Sequence, residues 1–180
     1  MKKIIVIISI LLCSVSTGVC QTAAASDSKL SGNITFGMGT TLTKSPQGLI
    51  DLRVDMNYDF CKPVFAMVNV DTDFQLADGT KRYADAFMLG GGLGWHILNS
   101  KAMKNGASYN LDLRANYGAS VGRCDWKHNA LTADLLWYPT YTKFQPVVGV
   151  GYRFSHGRND APIGMREKPH QILFSLGLRF

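Results

Sequence analysis

Four sets of residues in this 180-residue chain have the types and spacing that chemistry needs. Ser155 and His156, with Glu167 and His170 further along, would supply a nucleophilic hydroxyl, a base for its proton and a carboxylate to orient that base. Gly90-Gly91-Gly92-Leu93-Gly94 is a run through which a backbone can approach a phosphate, provided that a strand precedes it and a helix comes after. His96 is an isolated imidazole, and a metal site would ask for His or Cys partners at ligand spacing. Lys81, Arg82, Arg123, Lys127, Arg158, Arg166 and Lys168 form a basic set whose side chains suit phosphate groups. What each set can do depends on the elements that carry it and on which way each side chain points.

Those elements read as strands. From Leu52 to Phe60, the residues Leu52, Val54, Met56, Tyr58 and Phe60 alternate without error against Arg53, Asp55, Asn57 and Asp59. Helical spacing cannot produce this, whereas successive side chains of a strand point to opposite faces, one apolar and one charged. The same reading gives eight strands, at 31–43, 50–60, 64–76, 84–98, 108–122, 129–139, 144–156 and 170–180. Each has about ten residues or more, the length a tilted membrane strand requires and more than soluble sheets use.

One face of these strands carries Ile34, Phe36, Met38, Val68, Val70, Phe74, Phe87, Leu89, Leu93, Trp95, Ile97, Tyr109, Leu111, Leu113, Tyr117 and Val121. It continues through Leu131, Leu135, Trp137, Val148, Val150, Tyr152, Phe154, Ile172, Phe174, Leu176, Leu178 and Phe180. The opposite face holds Asn69, Asp71, Asp73, Asn110, Asp112, Arg114, Asn116, Asp134, Arg153, Gln171 and Arg179. In water, a barrel that turns its polar face inward would be inside out. In a bilayer the arrangement is the required one, because a closed barrel satisfies every backbone group while its outer wall meets hydrocarbon.

Composition agrees with this. The 18 Gly and the 7 Tyr, 9 Phe and 3 Trp suit β architecture. A mean hydropathy of +0.01 excludes a bundle of apolar spanning helices. Lys2 and Lys3, an apolar run from Ile4 to Val15 and the small or polar Ser16, Thr17 and Gly18 have the three-part layout of a secretory signal, too short for a permanent anchor. Cleavage fits between Cys20 and Gln21, with a second choice at Thr22 to Ser26, and Cys20 is also the residue type that lipid attachment uses, although Val19 suits that poorly. The expected organisation is a removed signal at 1–20, a short periplasmic segment at 21–30 and a barrel domain at 31–180.

Without Lys2 and Lys3 the chain carries 17 basic and 13 acidic residues, a formal +4, too mild to imply nucleic acid. Cys13 and Cys20 belong to the signal, which leaves Cys61 and Cys124. Two cysteines in an oxidising compartment would ordinarily pair. Here one falls in a connection at each end of the barrel, beyond the reach of a disulfide.

The fold expected is therefore all-β: an eight-stranded antiparallel up-and-down transmembrane β-barrel. An even strand count returns the chain to its starting side, with connections 61–63, 99–107 and 140–143 in the periplasm and 44–49, 77–83, 123–128 and 157–169 outside. Two aromatic girdles are expected, Tyr58, Phe60, Trp95, Tyr109, Trp137, Phe144 and Phe180 near one rim and Phe74, Phe87, Tyr117, Tyr152 and Phe154 near the other. Eight strands leave an interior that side chains fill, so Arg53, Arg114, Arg153 and Arg179 are expected to pair with lumen aspartates instead of lining a pore.

The signal, the hairpin meander and the ending Phe174-Ser-Leu-Gly-Leu-Arg-Phe180 resemble the small outer-membrane β-barrel superfamily of OmpA-like and OmpX-like porin-family proteins, over essentially the whole mature chain. That resemblance implies an outer-membrane location and contact with lipopolysaccharide. It also implies recognition by the barrel-assembly machinery through Phe180, with Leu178 and Leu176 two and four residues before it.

Parity then decides the candidate chemistry. Some small barrels are lipid A deacylases, with a Ser/His/acid constellation at the rim near the last strands. Here Ser155 and Glu167 are expected to point inward and His156 and His170 outward, and the His-x-Ser order of that family is missing, so no catalytic residue is assigned. The glycine run lies inside a strand with no helix after it and reads as a means of bending and close packing. His96 is expected as the one lumen histidine, bonded to a carboxylate, with no metal or cofactor. The basic set, with Lys44, stands at the outer rim against Asp78, Asp125, Asp160 and Glu167, a lipopolysaccharide contact or simply a solvated rim, since Lys62, Lys101, Lys104 and Lys143 make the other end basic as well. The leading function is structural or surface interaction in the envelope, with a lipid A-modifying hydrolase as the alternative and a narrow channel third.

Overall fold

In the computed structural model of the chain, residues 29–42, 48–61, 63–76, 83–99, 109–139, 144–157 and 170–180 are described. The alternating segments are strands: β1 Leu30–Thr41, β2 Gly48–Cys61, β3 Val64–Leu76, β4 Tyr83–Asn99, β5 Tyr109–Ser120, β6 His128–Pro139, β7 Gln145–Gly157 and β8 His170–Arg179. Each pairs antiparallel with its neighbour in sequence, and β8 returns to pair with β1, so the sheet closes into an eight-stranded barrel. Gly32 and Phe180 exchange two backbone hydrogen bonds at this seam, 2.8 and 2.9 Å long.

Strand ends differ from the sequence reading by a residue or two. β2 begins at Gly48, which brings Asp51 well inside the strand, and β5 stops at Ser120, where the chain turns through Gly122 at φ 77°. That is a left-handed conformation in which glycine meets no Cβ clash. Register shifts occur between Asp59 and Cys61 and between His96 and Leu98, and the second turns both Ile97 and Leu98 to the outside.

Away from these two irregularities, period-two alternation runs through the eight strands. Leu93, Trp95, Val68, Phe174 and Leu176 are among the outward residues that remain exposed, while Asp55, Asp73, Asp112, Arg114, Arg153 and Gln171 are buried inside. The inner face also carries apolar side chains, Phe65, Leu136, Tyr138 and Val147 toward the terminal end of the barrel, where β1 begins and β8 ends, and Leu49, Ala86, Met88 and Trp126 toward the far end. The glycine run belongs to this packing. A Cβ on inward Gly94 would overlap the Phe65 ring, and one on Gly90 would lie 2.8 Å from the side-chain Oδ1 of Asn69. β4 therefore supplies the space that β3 fills, and the glycine run lies within the strand itself; among the described residues the next element is the strand β5, not the helix that a phosphate loop needs.

Candidate functional site

The barrel interior is an ion-paired column. Arg114 donates from Nε to Asp134 Oδ1 at 2.6 Å and from Nη1 to Asp55 Oδ2 at 2.6 Å. Arg53 donates from Nε to Asp71 at 2.9 Å and from Nη1 to Asp134 Oδ2 at 2.8 Å. Arg153 reaches Asp73 at 2.8 Å, Asp51 at 3.1 Å and the Thr132 hydroxyl at 3.1 Å. Shared aspartates thus link β2, β3, β5, β6 and β7 across the lumen, and the expected pairing of the four arginines with lumen aspartates is what the structure contains. Asp51, the partner of both Arg53 and Arg153, stands just before the alternating run that begins at Leu52 and is the member that sequence reasoning missed.

Toward the terminal end, a second group gathers on Asp112. Its Oδ2 accepts from Tyr138 Oη at 3.0 Å and from Arg179 Nη1 at 3.1 Å, while the Arg179 guanidinium lies 4.4 Å from the centre of the Tyr138 ring. His96 places Nδ1 2.7 Å from Asp112 Oδ1 and Nε2 3.4 Å from Asp59 Oδ1, the carboxylate contact expected of it. It is not the only lumen histidine. His128 is fully buried at the other end of the column, with Nε2 3.4 Å from Asp73 Oδ2. The alternation alone places the start of β6 at residue 129 and His128 in a loop, whereas pairing with Gly157 adds His128 to the strand.

The connection at 121–127 folds inward at the far end. Val121 N donates to Phe87 O at 2.8 Å and Trp126 N to Asp85 O at 3.2 Å, which folds the segment against β4. Trp126 is 1% exposed and stacks on His128 at 3.6 Å between ring centres. The Asp125 carboxyl is pushed above the ordinary carboxylate range, by desolvation first and then by the like charge of Asp85. Nothing in the local sequence distinguishes an indole turned into the mouth from one left in a loop; the anchoring to β4 decides it.

The remaining candidates are dispersed. Ser155 is buried inside, and its hydroxyl makes no hydrogen bond to a base; the ring nitrogens of His128 face the Trp126 carbonyl and Asp73. His156 and His170 are exposed on the outside, as expected, and Glu167 lies outside the described residues. Of the basic rim, Arg123 and Lys127 are exposed in the 121–127 connection, while Lys81, Arg82, Arg158, Arg166 and Lys168 lie outside the described residues. Cys61 and Cys124 are free, one at each end of the barrel. Among the described residues no group of three or more His, Cys, Asp or Glu is placed to hold a metal ion.

A closed antiparallel barrel with an exposed apolar wall and a buried ionic interior is a transmembrane β-barrel of the outer-membrane kind. No family model and no curated protein matches the sequence. Among solved structures, Neisserial surface protein A (NspA) of Neisseria superposes with a TM-score of 0.58 at 9% identity, covering 84% of this chain and 96% of that one. Ail, the attachment invasion locus protein of Yersinia pestis, gives a TM-score of 0.46 at 13% identity over 84% of this chain and 97% of its own. At such identities the likeness to NspA is one of fold: the chain has the fold of a small outer-membrane β-barrel.

Proposed function

We propose that the chain is a non-enzymatic barrel of a Gram-negative outer membrane with a structural or surface-interaction role in the envelope. The observation that carries this reading is the filled lumen. Its charges are engaged with one another, Trp126 is buried against His128 at its far end, and Ser155 faces inward where His156 and His170 face outward. What remains for partners is the rim and the connections of the far end, where Arg123 and Lys127 would meet lipopolysaccharide phosphates together with Lys81, Arg82, Arg158, Arg166 and Lys168. On this reading residues 1–20 are removed on export, 21–30 lead into the barrel from the periplasm, and the strand ending at Phe180 presents the assembly signal.

Deletion of the gene should sensitise cells to detergents and cationic peptides while lipid A retains its acylation pattern by mass spectrometry. The purified barrel should give no conductance steps in planar bilayers. Loss of an acyl chain from lipid A in the expressing strain alone would restore the hydrolase, and discrete steps would restore the channel.

A further inference from the structure

The outer wall is apolar along most of β7 and β8, and its character changes at one end of both strands together. Outward positions on β7 run Val148, Val150, Tyr152, Phe154, His156, and on β8 they run Leu178, Leu176, Phe174, Ile172, His170. Phe154 is the register partner of His170, and His156 that of Asn129 on β6. An imidazole on a lipid-facing wall is costly in hydrocarbon and favourable among headgroups, so the polar ends of these strands mark the headgroup level.

The two rings that flank His170 fix how it presents itself. Tyr152 Oη is hydrogen-bonded to His170 Nδ1, and the Tyr152 and Phe154 rings lie 5.8 and 5.1 Å from the imidazole, centre to centre. A phenol is a better donor than acceptor, so Nδ1 accepts and the ring proton resides on Nε2; in the imidazolium form Nε2 carries a proton as well. Nε2–H is thus a donor held by the wall and turned away from the bonded tyrosine. The backbone that carries it is tied down, since Leu42 N donates to His170 O at 2.6 Å.

We infer that Tyr152, Phe154, His156 and His170 form a binding site on the outside of the barrel for the phosphate group of a membrane lipid. Phosphate oxygens accept from His170 Nε2–H and His156, and the Phe154 and Tyr152 rings lie against the first carbons of the lipid. The site is one for binding, and Ser155, the chain neighbour of Phe154 and His156, faces the lumen, away from it. It deepens the rim reading above and rests on the wall meeting lipid.

The test uses the full barrel, refolded in a non-ionic maltoside detergent and titrated separately with inorganic phosphate, a bis-phosphorylated lipid A and a phosphate-free glycolipid of equal chain length. Imidazole nitrogen NMR and retention of bound lipid in native mass spectrometry are the readouts. Lipid A should shift the His170 nitrogens and stay bound. His170→Gln should weaken it about tenfold, the loss expected for one charge-assisted hydrogen bond. Tyr152→Phe should weaken it less, and Tyr117→Phe, outward on β5, should not change it. All of these side chains face outward, so the heat-modifiable gel shift of the folded barrel should be retained in every variant. Equal binding of the phosphate-free glycolipid, equal shifts with inorganic phosphate alone, or full affinity in His170→Gln would each overturn the site. Because the assay is independent of membrane orientation and of cells, its failure would leave the envelope phenotype standing, and a missing phenotype would leave the site standing.

Discussion

On β5 the inward Asp112, Arg114 and Asn116 and the outward Leu113, Ala115 and Tyr117 are separated by single peptide units, yet they obey opposite rules. Outward side chains meet a fluid solvent of hydrocarbon, which takes any apolar shape and rejects charge. Inward side chains meet one another in a space of fixed size, where charge is accepted only if a specific partner reaches it. The outer wall therefore tolerates changes of size and is sensitive to polarity, and the lumen is sensitive to both.

The largest effect should come from breaking the lumen network at a carboxylate that two buried arginines share. Asp134→Ala removes partners from Arg53 and Arg114 together and should cost about 3 to 5 kcal/mol, read as a lowered urea midpoint for refolding into lipid vesicles. Leu135→Arg, the next residue and outward, flanked in register by Leu113 and Val150, should cost about 2 to 4 kcal/mol in the same titration. A larger loss from Leu135→Arg would mean that the wall, not the ionic column, dominates stability.

Size sharpens the contrast. Inward Gly94→Ala drives a methyl into the Phe65 ring and should cost about 1 to 3 kcal/mol. Outward Gly91→Ala meets only the Met67 carbonyl oxygen at 3.2 Å and should stay within about 0.5 kcal/mol of wild type. Equal penalties would contradict the different packing of the two faces. The smallest effect is expected from reductant, which should leave the midpoint unchanged because Cys61 and Cys124 are free at opposite ends. A bridge between them in non-reducing mass mapping would be incompatible with the register.

Much of this was legible in the sequence because a strand writes its two faces at period two, so β2 can be assigned from Leu52 to Phe60 without reference to the rest of the chain. The inward placement of Ser155 and the outward placement of His156 and His170 come from the same local rule, and with them the dispersal of the would-be hydrolase. The rule fails at strand ends, where hydrogen bonding to a neighbour and not the pattern decides the boundary. His128, taken for a loop residue, is ladder-paired with Gly157, and Trp126 is drawn inward by bonds from its connection to β4. The same limit hides the pair formed by Tyr152 and His170, diagonal neighbours that only the β7–β8 register brings together.

By itself, then, the sequence determined which side chains share a face, how many strands there are and that the polar face lies within a closed sheet, since each depends on residues adjacent in the chain. Tertiary structure alone decided the partners inside. Arg114 meets Asp55 across 59 residues and Arg153 meets Asp51 across 102, contacts set by the curvature and stagger of closure, which leave no local trace.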